Sequence, residues 1–381
     1  MEKIALVLYY YQPYVSGLSK YAQTIAEELA ASGNYEVTVI TSKYESSISP
    51  NETINNVKVL RKKVWLSFGK GVIAPGIIWE LFKKRNKFDK VFVFVPFGEA
   101  GIIPLVINKN KLFSFYVCDI NLGKSFIMKI VEKISFLSAR VLLNRSKKII
   151  PLSDDYMFHS RIFKENDKSK VISLFPKIEE PDLSVTKDQV AQYKSRYGIK
   201  ENDFVVGFLG RIVFEKGIEY LIDTVPLLKD KIKNLKIFIG GDYKNVRGGS
   251  VYDNLKDKIE SYKENIIVTG FVLEEEKSLF LHSSNVFVLP SIDPLEAFGI
   301  VQVESMICDV PVIASSLFGV REVVNNTKFG FLASPKSSEE LAEKIMQVYE
   351  NADKLKPYKD EYKKYYSNEI WKKQLYKILA N

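Results

Sequence analysis

The chain has 381 residues, of which 46% are hydrophobic and 27% are charged, a composition typical of globular proteins and a length that favours two domains. Its two cysteines and two histidines are too few for a disulfide framework or a metal cluster, so a reducing, cytoplasmic location is expected. No apolar run reaches the ~18 residues of a membrane-spanning helix, and the net charge is +9.

Apolar runs of strand length alternate with segments of helical period in both halves of the chain. In the first half the predicted strands are Ile4–Tyr11, Glu36–Thr41, Lys90–Val95, Leu112–Val117, Lys148–Leu152 and Lys170–Leu174, with a helix over Ser19–Ala31. In the second half they are Phe204–Leu209, Leu235–Ile239, Asn265–Val268, Val286–Leu289, Val310–Ala314 and Gly330–Leu332. Helices are expected after most of these, among them Gly217–Leu228, Glu274–Ser283 and Ser338–Tyr349.

This alternation predicts an α/β protein with two doubly wound sheets. The aperiodic, proline-containing stretch Pro176–Ser184 is expected to link them. We therefore predict domains over residues 1–178 and 179–366, followed by a helix within 367–381 that can pack back on the first domain. Ligands of such sheets bind at the carboxyl ends of the strands, so the site is expected in a cleft between the two domains.

One motif after a predicted strand carries two cations. It is the segment Gly210–Gly217 (GRIVFEKG), which ends where a helix is expected to begin. Arg211 and Lys216 would stand beside a helix N-terminus, where cations and free backbone N–H groups form a diphosphate site. The alternative is that both are solvated surface cations.

A second motif, Pro290–Glu304 (PSIDPLEAFGIVQVE), carries two carboxylates. The helix is expected to begin near Phe298, with Glu296 in the loop before it and Glu304 about two turns inside it. Carboxylates there would accept hydrogen bonds from sugar hydroxyls, or else Glu296 caps the helix and Glu304 faces solvent. The backbone N–H groups of Phe298, Gly299 and Ile300, at the start of the expected helix, would donate hydrogen bonds to a phosphate.

These motifs, together with VTGF (Val268–Phe271), VPVIAS, GVREVV and GFLASP, resemble glycosyltransferase family 4 over roughly residues 204–350. The resemblance implies the GT-B architecture, in which two Rossmann-like domains face each other across a cleft, and transfer with retention of anomeric configuration. It implies that Arg211 and Lys216 bind the donor diphosphate. It also implies that Glu296 acts on the donor sugar, Glu304 binds the ribose hydroxyls, and Phe271 and Val272 lie beside the base.

The first half resembles that family less closely. Gly17 occupies the position of a glycine-rich loop near the donor diphosphate, with one glycine where the family often has two. Asp119 follows Cys118 where the family has His-Asp, and is either an acceptor-side catalytic carboxylate or a turn or cap residue. Without that histidine, the resemblance implies that the departing phosphate takes the acceptor proton. No Asp-x-Asp occurs, so we expect a metal-independent enzyme without cofactor.

All of the excess positive charge lies in residues 1–180, which hold 27 Lys+Arg and 17 Asp+Glu; the remainder holds 28 and 29. The stretches Lys58–Lys90 and Lys124–Lys148 mix this charge with apolar residues. Such mixtures suit an anionic membrane surface, here the inner face of the cell membrane. The alternative is a pair of amphipathic core helices with solvated lysines.

The sequence thus predicts a transferase that moves a hexose from a nucleotide sugar to a lipid-linked or oligosaccharide acceptor in cell-envelope or glycan assembly. A UDP-sugar is favoured over a GDP-sugar on family frequency alone. A nucleotide-sugar epimerase or sugar phosphorylase of the same fold remains open, as does a basic nucleic-acid-binding protein. This last alternative is disfavoured, because the aromatic residues do not form an RNA-binding motif, and no nucleic-acid partner is therefore expected.

Overall fold

The computed structural model describes residues 1–68, 71–120, 125–244, 246 and 249–380, without the side chains of Phe68, Ile127 and Asn166. The chain forms two compact units, Met1–Lys177 with Gln374–Asn381, and Ile178–Lys373. The division after Lys373 falls inside the last helix, so that helix begins in one unit and ends in the other. Among the described residues, no helix is both long and apolar enough to cross a bilayer.

The first unit is built around a mainly parallel sheet. Its strands are β1 (Glu2–Val7), β2 (Tyr35–Lys43), β3 (Asn51–Ile54), β4 (Val57–Lys63), β5 (Leu66–Phe68), β6 (Gly71–Ile73), β7 (Lys90–Val95), β8 (Leu112–Tyr116) and β9 (Lys148–Pro151). Its helices are α1 (Gly17–Ala31), α2 (Gly76–Lys84), α3 (Ile103–Val106), α4 (Phe126–Arg145) and α5 (Asp154–His159), with 3-10 helices at Gly98–Ile102, Lys109–Lys111 and Glu165–Lys170. The main sheet has the order β3-β4-β2-β1-β7-β8-β9, in which the β3–β4 pair is antiparallel and the others are parallel, and β5 and β6 form a separate antiparallel pair. Near-continuous apolar runs such as that of β7 suit its central strands, which are buried on both faces.

The second unit contains a fully parallel sheet of order β12-β11-β10-β13-β14-β15. Its strands are β10 (Phe204–Leu209), β11 (Leu235–Gly240), β12 (Ile266–Gly270), β13 (Val286–Leu289), β14 (Val312–Ser315) and β15 (Gly330–Ala333). Its helices are α6 (Lys187–Arg196), α7 (Ile218–Ile222), α8 (Val225–Leu228), α9 (Tyr252–Ser261), α10 (Lys277–His282), α11 (Ile300–Ile307), α12 (Val320–Thr327), α13 (Ser338–Leu355), α14 (Tyr362–Tyr366) and the first part of α15 (Asn368–Ala380). Short 3-10 helices cover Phe214–Lys216, Glu274–Glu276 and Lys356–Tyr358.

The strands predicted for the second half are all present, each within two residues of the expected ends. The helix predicted over Gly217–Leu228 is two helices, α7 and α8. Pro226 lies at the start of α8, and because proline has no N–H and clashes with the preceding turn, it cannot continue α7.

Three features of the first half differ from the prediction. The first strand, predicted over Ile4–Tyr11, is Glu2–Val7 and ends before the residues Leu8 to Tyr11. The predicted strand Lys170–Leu174 is wrong, because Lys170 ends a 3-10 helix and the remainder is not a regular strand. It still runs beside β9, through a bridge between Ile149 and Val171 and through N–H groups of Ile172 and Leu174 that donate to the Ile149 and Pro151 carbonyls at 3.0 and 2.9 Å. The strands β3 to β6 were not predicted, since β3, β5 and β6 are only three or four residues long and four of the seven residues of β4 are cations. A signal for β3 and β4 exists in Asn55 and Asn56, whose positive φ angles form the two-residue turn of a hairpin.

The connections fix the helices to opposite faces of the first sheet. The step from β1 through α1 to β2 runs one way across the sheet, whereas the steps through α2, α3 and α4 run the other way. Because parallel crossovers are right-handed, α2, α3 and α4 share one face and α1 covers the other. Within their layer α2 contacts α3, and α3 contacts α4.

Candidate active site

A glycine controls how the loops after β10 and β13 approach each other. Gly217 has φ +64°, and a Cβ atom there would lie 2.2 Å from the carbonyl oxygen of Pro290 and 2.8 Å from Cγ2 of Ile292. The Ile292 N–H donates to the Glu215 carbonyl at 3.0 Å, which ties the two loops together. Only glycine allows both this backbone conformation and this separation.

This approach brings together two residues that are 80 positions apart in the sequence. The ammonium group of Lys216 donates to a carboxylate oxygen of Glu296, and their side chains are only 17% and 18% exposed. The loop around Asp293 orients Glu296: the Asp293 carboxylate accepts from the Leu295 N–H at 2.9 Å and its carbonyl from the Glu296 N–H at 3.1 Å. A cation and a carboxylate predicted to act on one ligand are therefore in direct contact.

Arg211, the other predicted cation, lies in the same loop as Lys216. Its guanidinium is 3.5 Å from a carboxylate oxygen of Glu215, and its side chain is 47% exposed. The geometry therefore gives it a partner within its own loop together with access to solvent.

The helix of the second motif, α11, begins at Ile300, two residues later than predicted. Gly299 caps it with φ +77°, and a Cβ there would lie 2.5 Å from Leu289 Cδ2. The N–H groups of the first helical turn have no acceptor within the helix. Those at the start of α11, beginning with the N–H of Ile300, can therefore bind an anion. Phe298 is buried with its ring edge-on to Tyr366 at 5.6 Å, so its side chain belongs to the core.

Glu304 is the fifth residue of α11, a little over one turn inside it rather than two. The alternative that it faces solvent is wrong, because the residue is only 7% exposed. The ammonium group of Lys277 donates to its Oε1 at 2.8 Å, and also lies 2.5 Å from Glu274.

The Lys277–Glu304 pair is buried and electrostatically coupled. Burial raises the pKa of the Glu304 carboxyl, and Lys277 opposes that rise. Burial alone would lower the pKa of Lys277, but the carboxylates of Glu304 and Glu274 outweigh burial and raise it. Lys277 was not predicted from the sequence. Its one signal is a lysine in the first turn of a helix, where the helix dipole disfavours a cation.

The two residues predicted beside the base follow β12. Phe271 is 71% exposed. A Cβ atom on Gly240, the last residue of β11, would lie 2.8 Å from Val272 Cγ2, so Val272 covers the carboxyl end of that strand. The second unit thus places Arg211, Lys216, Phe271 and Val272 in loops that follow strands.

In the first unit, Gly17 is the first residue of α1. The Ser16 cap and Ser19 form a capping box there. No described atom lies within 4 Å of a Cβ built on Gly17, so packing in the described residues does not require a glycine.

Asp119, also in the first unit, is held by side chains around the end of β8. Its Oδ1 accepts from the Tyr116 hydroxyl, and its N–H donates to the Tyr156 hydroxyl at 2.7 Å. The Arg161 Nε lies 3.8 Å from Oδ2. Burial and the adjacent carboxylate raise the pKa of Tyr116, which keeps its hydroxyl protonated as a donor. Asp119 therefore braces this edge of the sheet.

Within the described part of the chain, no three His, Cys, Asp or Glu residues are grouped so that they could hold a metal ion.

We predict that Gly217→Ala costs more stability than Gly198→Ala. Both glycines have φ between +64° and +68°, but a Cβ on Gly198 meets no described atom within 4 Å. Gly198→Ala should therefore cost only the left-handed strain of ~1–2 kcal/mol, whereas Gly217→Ala adds the clash with Pro290. Denaturant unfolding of both variants measures the difference. Equal losses would show that the two loops can separate without penalty.

We further predict that Lys277→Met lowers the free energy of unfolding by ~3 kcal/mol near neutral pH, because it leaves the Glu304 carboxylate buried without its cation. The folded-state pKa of Glu304 would then lie above its unfolded value, so the loss should be smaller at pH 5 and grow as pH rises. The neutral double variant Lys277→Met/Glu304→Gln should recover most of it.

The matched control is Lys263→Met, which removes an ion pair with Glu260 whose two side chains are 70% and 71% exposed. Its loss should lower the free energy of unfolding by less than ~1 kcal/mol. A loss independent of pH, or one not recovered in the double variant, would contradict the assigned coupling.

Residues 189–365 match the family described as glycosyl transferases group 1. The chain is 27% identical over 365 residues to an uncharacterized glycosyltransferase of Methanocaldococcus jannaschii, covering 89% of this chain and 87% of that one. It is 27% identical over 276 residues to the capsular polysaccharide biosynthesis glycosyltransferase CapM of Staphylococcus aureus, covering 70% and 69%. The structure of Anabaena HepE in complex with UDP superposes with a TM-score of 0.74 at 18% identity, covering 100% of both chains.

The likeness of fold extends over both units, and the family match lies within the unit that holds Lys216, Glu296 and Glu304. The chain therefore has the GT-B fold, and its residues 189–365 are similar to group 1 glycosyl transferases.

Proposed function

We propose that the protein transfers a hexose from a nucleotide-sugar donor to a lipid-linked or oligosaccharide acceptor, with retention of anomeric configuration. The observation that carries this proposal is the contact between Lys216 and Glu296 beside the loop that precedes α11. It joins a cation suited to a diphosphate and a carboxylate suited to sugar hydroxyls. Solved complexes of HepE contain UDP and UDP-glucose, which supports a UDP-sugar as donor.

In this proposal the second unit binds the donor. Lys216, Arg211 and the first N–H groups of α11 offset the diphosphate charge. Glu304, kept ionised by Lys277, accepts the ribose hydroxyls. The base lies beside Phe271 and Val272.

The proposed reaction needs no metal, because Lys216, Arg211 and the helix N-terminus supply the positive charge that the leaving diphosphate requires. The bond from sugar C1 to the phosphate oxygen breaks, and the acceptor oxygen bonds to C1 on the same face. The acceptor proton passes to the departing phosphate oxygen. Glu296 holds the sugar hydroxyls through this step.

The first unit binds the acceptor in this proposal, with Gly17 near the diphosphate. Asp119 then acts as the acceptor-side carboxylate, held in place by Tyr116 and Arg161. CapM, one of the similar proteins, is named for capsular polysaccharide biosynthesis, which supports a role in the cell envelope. We place the reaction on the cytoplasmic side of the membrane, where nucleotide sugars are available.

A transfer assay read by mass spectrometry tests the proposal. The protein is incubated with UDP-, GDP- or ADP-sugars and a lipid extract of the source organism, with and without EDTA. We expect a product one hexose heavier with one donor, formed equally with EDTA present. Donor consumed without acceptor would instead identify an epimerase, and a requirement for inorganic phosphate would identify a phosphorylase.

We predict that Lys216→Met and Glu296→Gln each lower kcat/KM by ~100-fold or more, because each removes a group that stabilises charge in the transition state. The control is Lys258→Met, which removes an exposed ion pair with Asp223 that lies outside both motifs. Steady-state kinetics and thermal melts measure the effects. Near-normal turnover in either site variant would contradict the assigned roles.

A further inference from the structure

An apolar stripe runs along the outside of α4. At ~100° per residue, its members fall within one sector of ~80° around the helix axis. They are Phe126, Ile130, Ile134, Leu137 and Val141, with 78%, 45%, 61%, 66% and 38% of their surfaces exposed. The opposite side of α4 packs inward through buried Ala139, Leu142 and Leu143. The helix is therefore apolar on its outer face as well as its inner one, which a helix surrounded by water does not require.

The neighbouring helices continue this surface. Ile102, which precedes α3, is 46% exposed, and Leu105 in α3 is 77% exposed. Trp79 and Phe82 of α2 are 57% and 39% exposed. Because α2, α3 and α4 form one layer on one face of the sheet, these residues extend the α4 stripe across that layer. We call the exposed apolar residues of the three helices the docking face. An exposed apolar surface of this extent marks an interaction site.

Cations border the docking face. Lys129 and Lys133 are exposed and lie beside the α4 stripe, ~20° to 60° from Phe126 around the axis. On α2, Lys83 lies over the Trp79 ring at 5.1 Å and Arg85 over the Phe82 ring at 4.3 Å. Aromatic rings covered by cations suit the headgroup region of a bilayer.

The acidic residues of these helices do not oppose that charge. Glu80 on α2 is paired with Lys62 at 2.8 Å and with Lys84 at 2.5 Å, and its side chain is 14% exposed. Glu132 on α4 is paired with Arg161 at 3.0 Å and is 16% exposed. The described surface of the layer is thus apolar and positive.

We propose that the docking face binds the first unit to an anionic membrane, with α4 lying in the plane of the headgroups. A nucleic acid would use the cations but leave the aliphatic stripe without a partner, whereas a bilayer satisfies both. Phosphates contact the lysines and arginines, and acyl chains receive Ile134, Leu137 and their neighbours. The basic stretches predicted for this role are Lys58–Lys90 and Lys124–Lys148. Lys70 of the first and Lys124 of the second lie outside the described residues.

The position of α4 also connects the docking face to the acceptor. The amino ends of α2, α3 and α4 lie at the edge of the sheet where the strands end, the edge that carries Gly17 and Asp119. A membrane at the docking face would present a lipid-linked acceptor beside that edge. This last step rests on the proposed function, whereas membrane binding itself does not.

Flotation with vesicles tests the proposal without donor or acceptor. Wild-type protein should bind vesicles of phosphatidylglycerol and phosphatidylcholine at least ~10-fold more than vesicles of phosphatidylcholine alone, and high salt should reduce the difference. Ile134→Glu/Leu137→Glu should lower binding to the anionic vesicles by ~10-fold or more, since it places two charges on the stripe. Both positions are exposed, so thermal melts should remain near wild type.

The matched control is Leu183→Glu/Tyr358→Glu, which places two charges at exposed positions of the second unit and should bind like wild type. Lys216→Met should also bind normally, which separates membrane binding from catalysis. Equal binding to both kinds of vesicle, or no loss in the stripe variant, would overturn the proposal. So would a dimer that the stripe variant dissociates, because the face would then be covered by a second copy. Transfer to a detergent-solubilised acceptor would persist in each of these cases if the proposed function is right.

Discussion

The loops after β10 and β13 lie so close together at Gly217 that no side chain fits between them, and the second unit's candidate site depends on this contact. Closing that gap sets the backbone of Lys216 against the segment that carries Glu296. Two parallel strands that are neighbours in the sheet, β10 and β13, supply the two loops. The sheet order therefore decides which side chains can meet, and one glycine decides how closely.

The charged groups Lys216, Glu296, Lys277 and Glu304 of the second unit's candidate site are paired. Lys216 contacts Glu296, and Lys277 contacts both Glu304 and Glu274. Charges that lose water need such partners, since an isolated buried carboxylate is strongly disfavoured. An anionic ligand could replace Glu296 as the partner of Lys216. Hydroxyl groups of the same ligand could then donate hydrogen bonds to the Glu296 carboxylate. In the proposed function, Lys216 would exchange Glu296 for the diphosphate of the donor when the donor binds.

Much of this arrangement could be predicted from the sequence, for reasons that differ between elements. The strands β10 to β15 are continuous apolar runs bounded by loops, so their periodicity alone locates them. The strands β3, β5 and β6 are only three or four residues long, and β4 is interrupted by four cations, so none of them has a clear apolar pattern. The stretch Lys170–Leu174 is apolar enough to imitate a strand, but it runs beside β9 without forming a regular one. Lys277 could not be predicted as the partner of Glu304, because their contact depends on how two helices pack. Phe298 was predicted for its N–H group, and its side chain turned out to fill the core.

Calorimetric titration with UDP tests most directly whether Lys216 binds the diphosphate of the donor and Glu296 binds its sugar. UDP carries the diphosphate but no hexose. Glu296→Gln should therefore bind UDP as tightly as wild type or more tightly, since Lys216 no longer has a competing carboxylate. Lys216→Met should weaken UDP binding by ~10-fold or more, the loss expected for a charge-assisted contact of ~1.5–3 kcal/mol. Equal weakening in both variants, or none in Lys216→Met, would contradict the proposed division of roles.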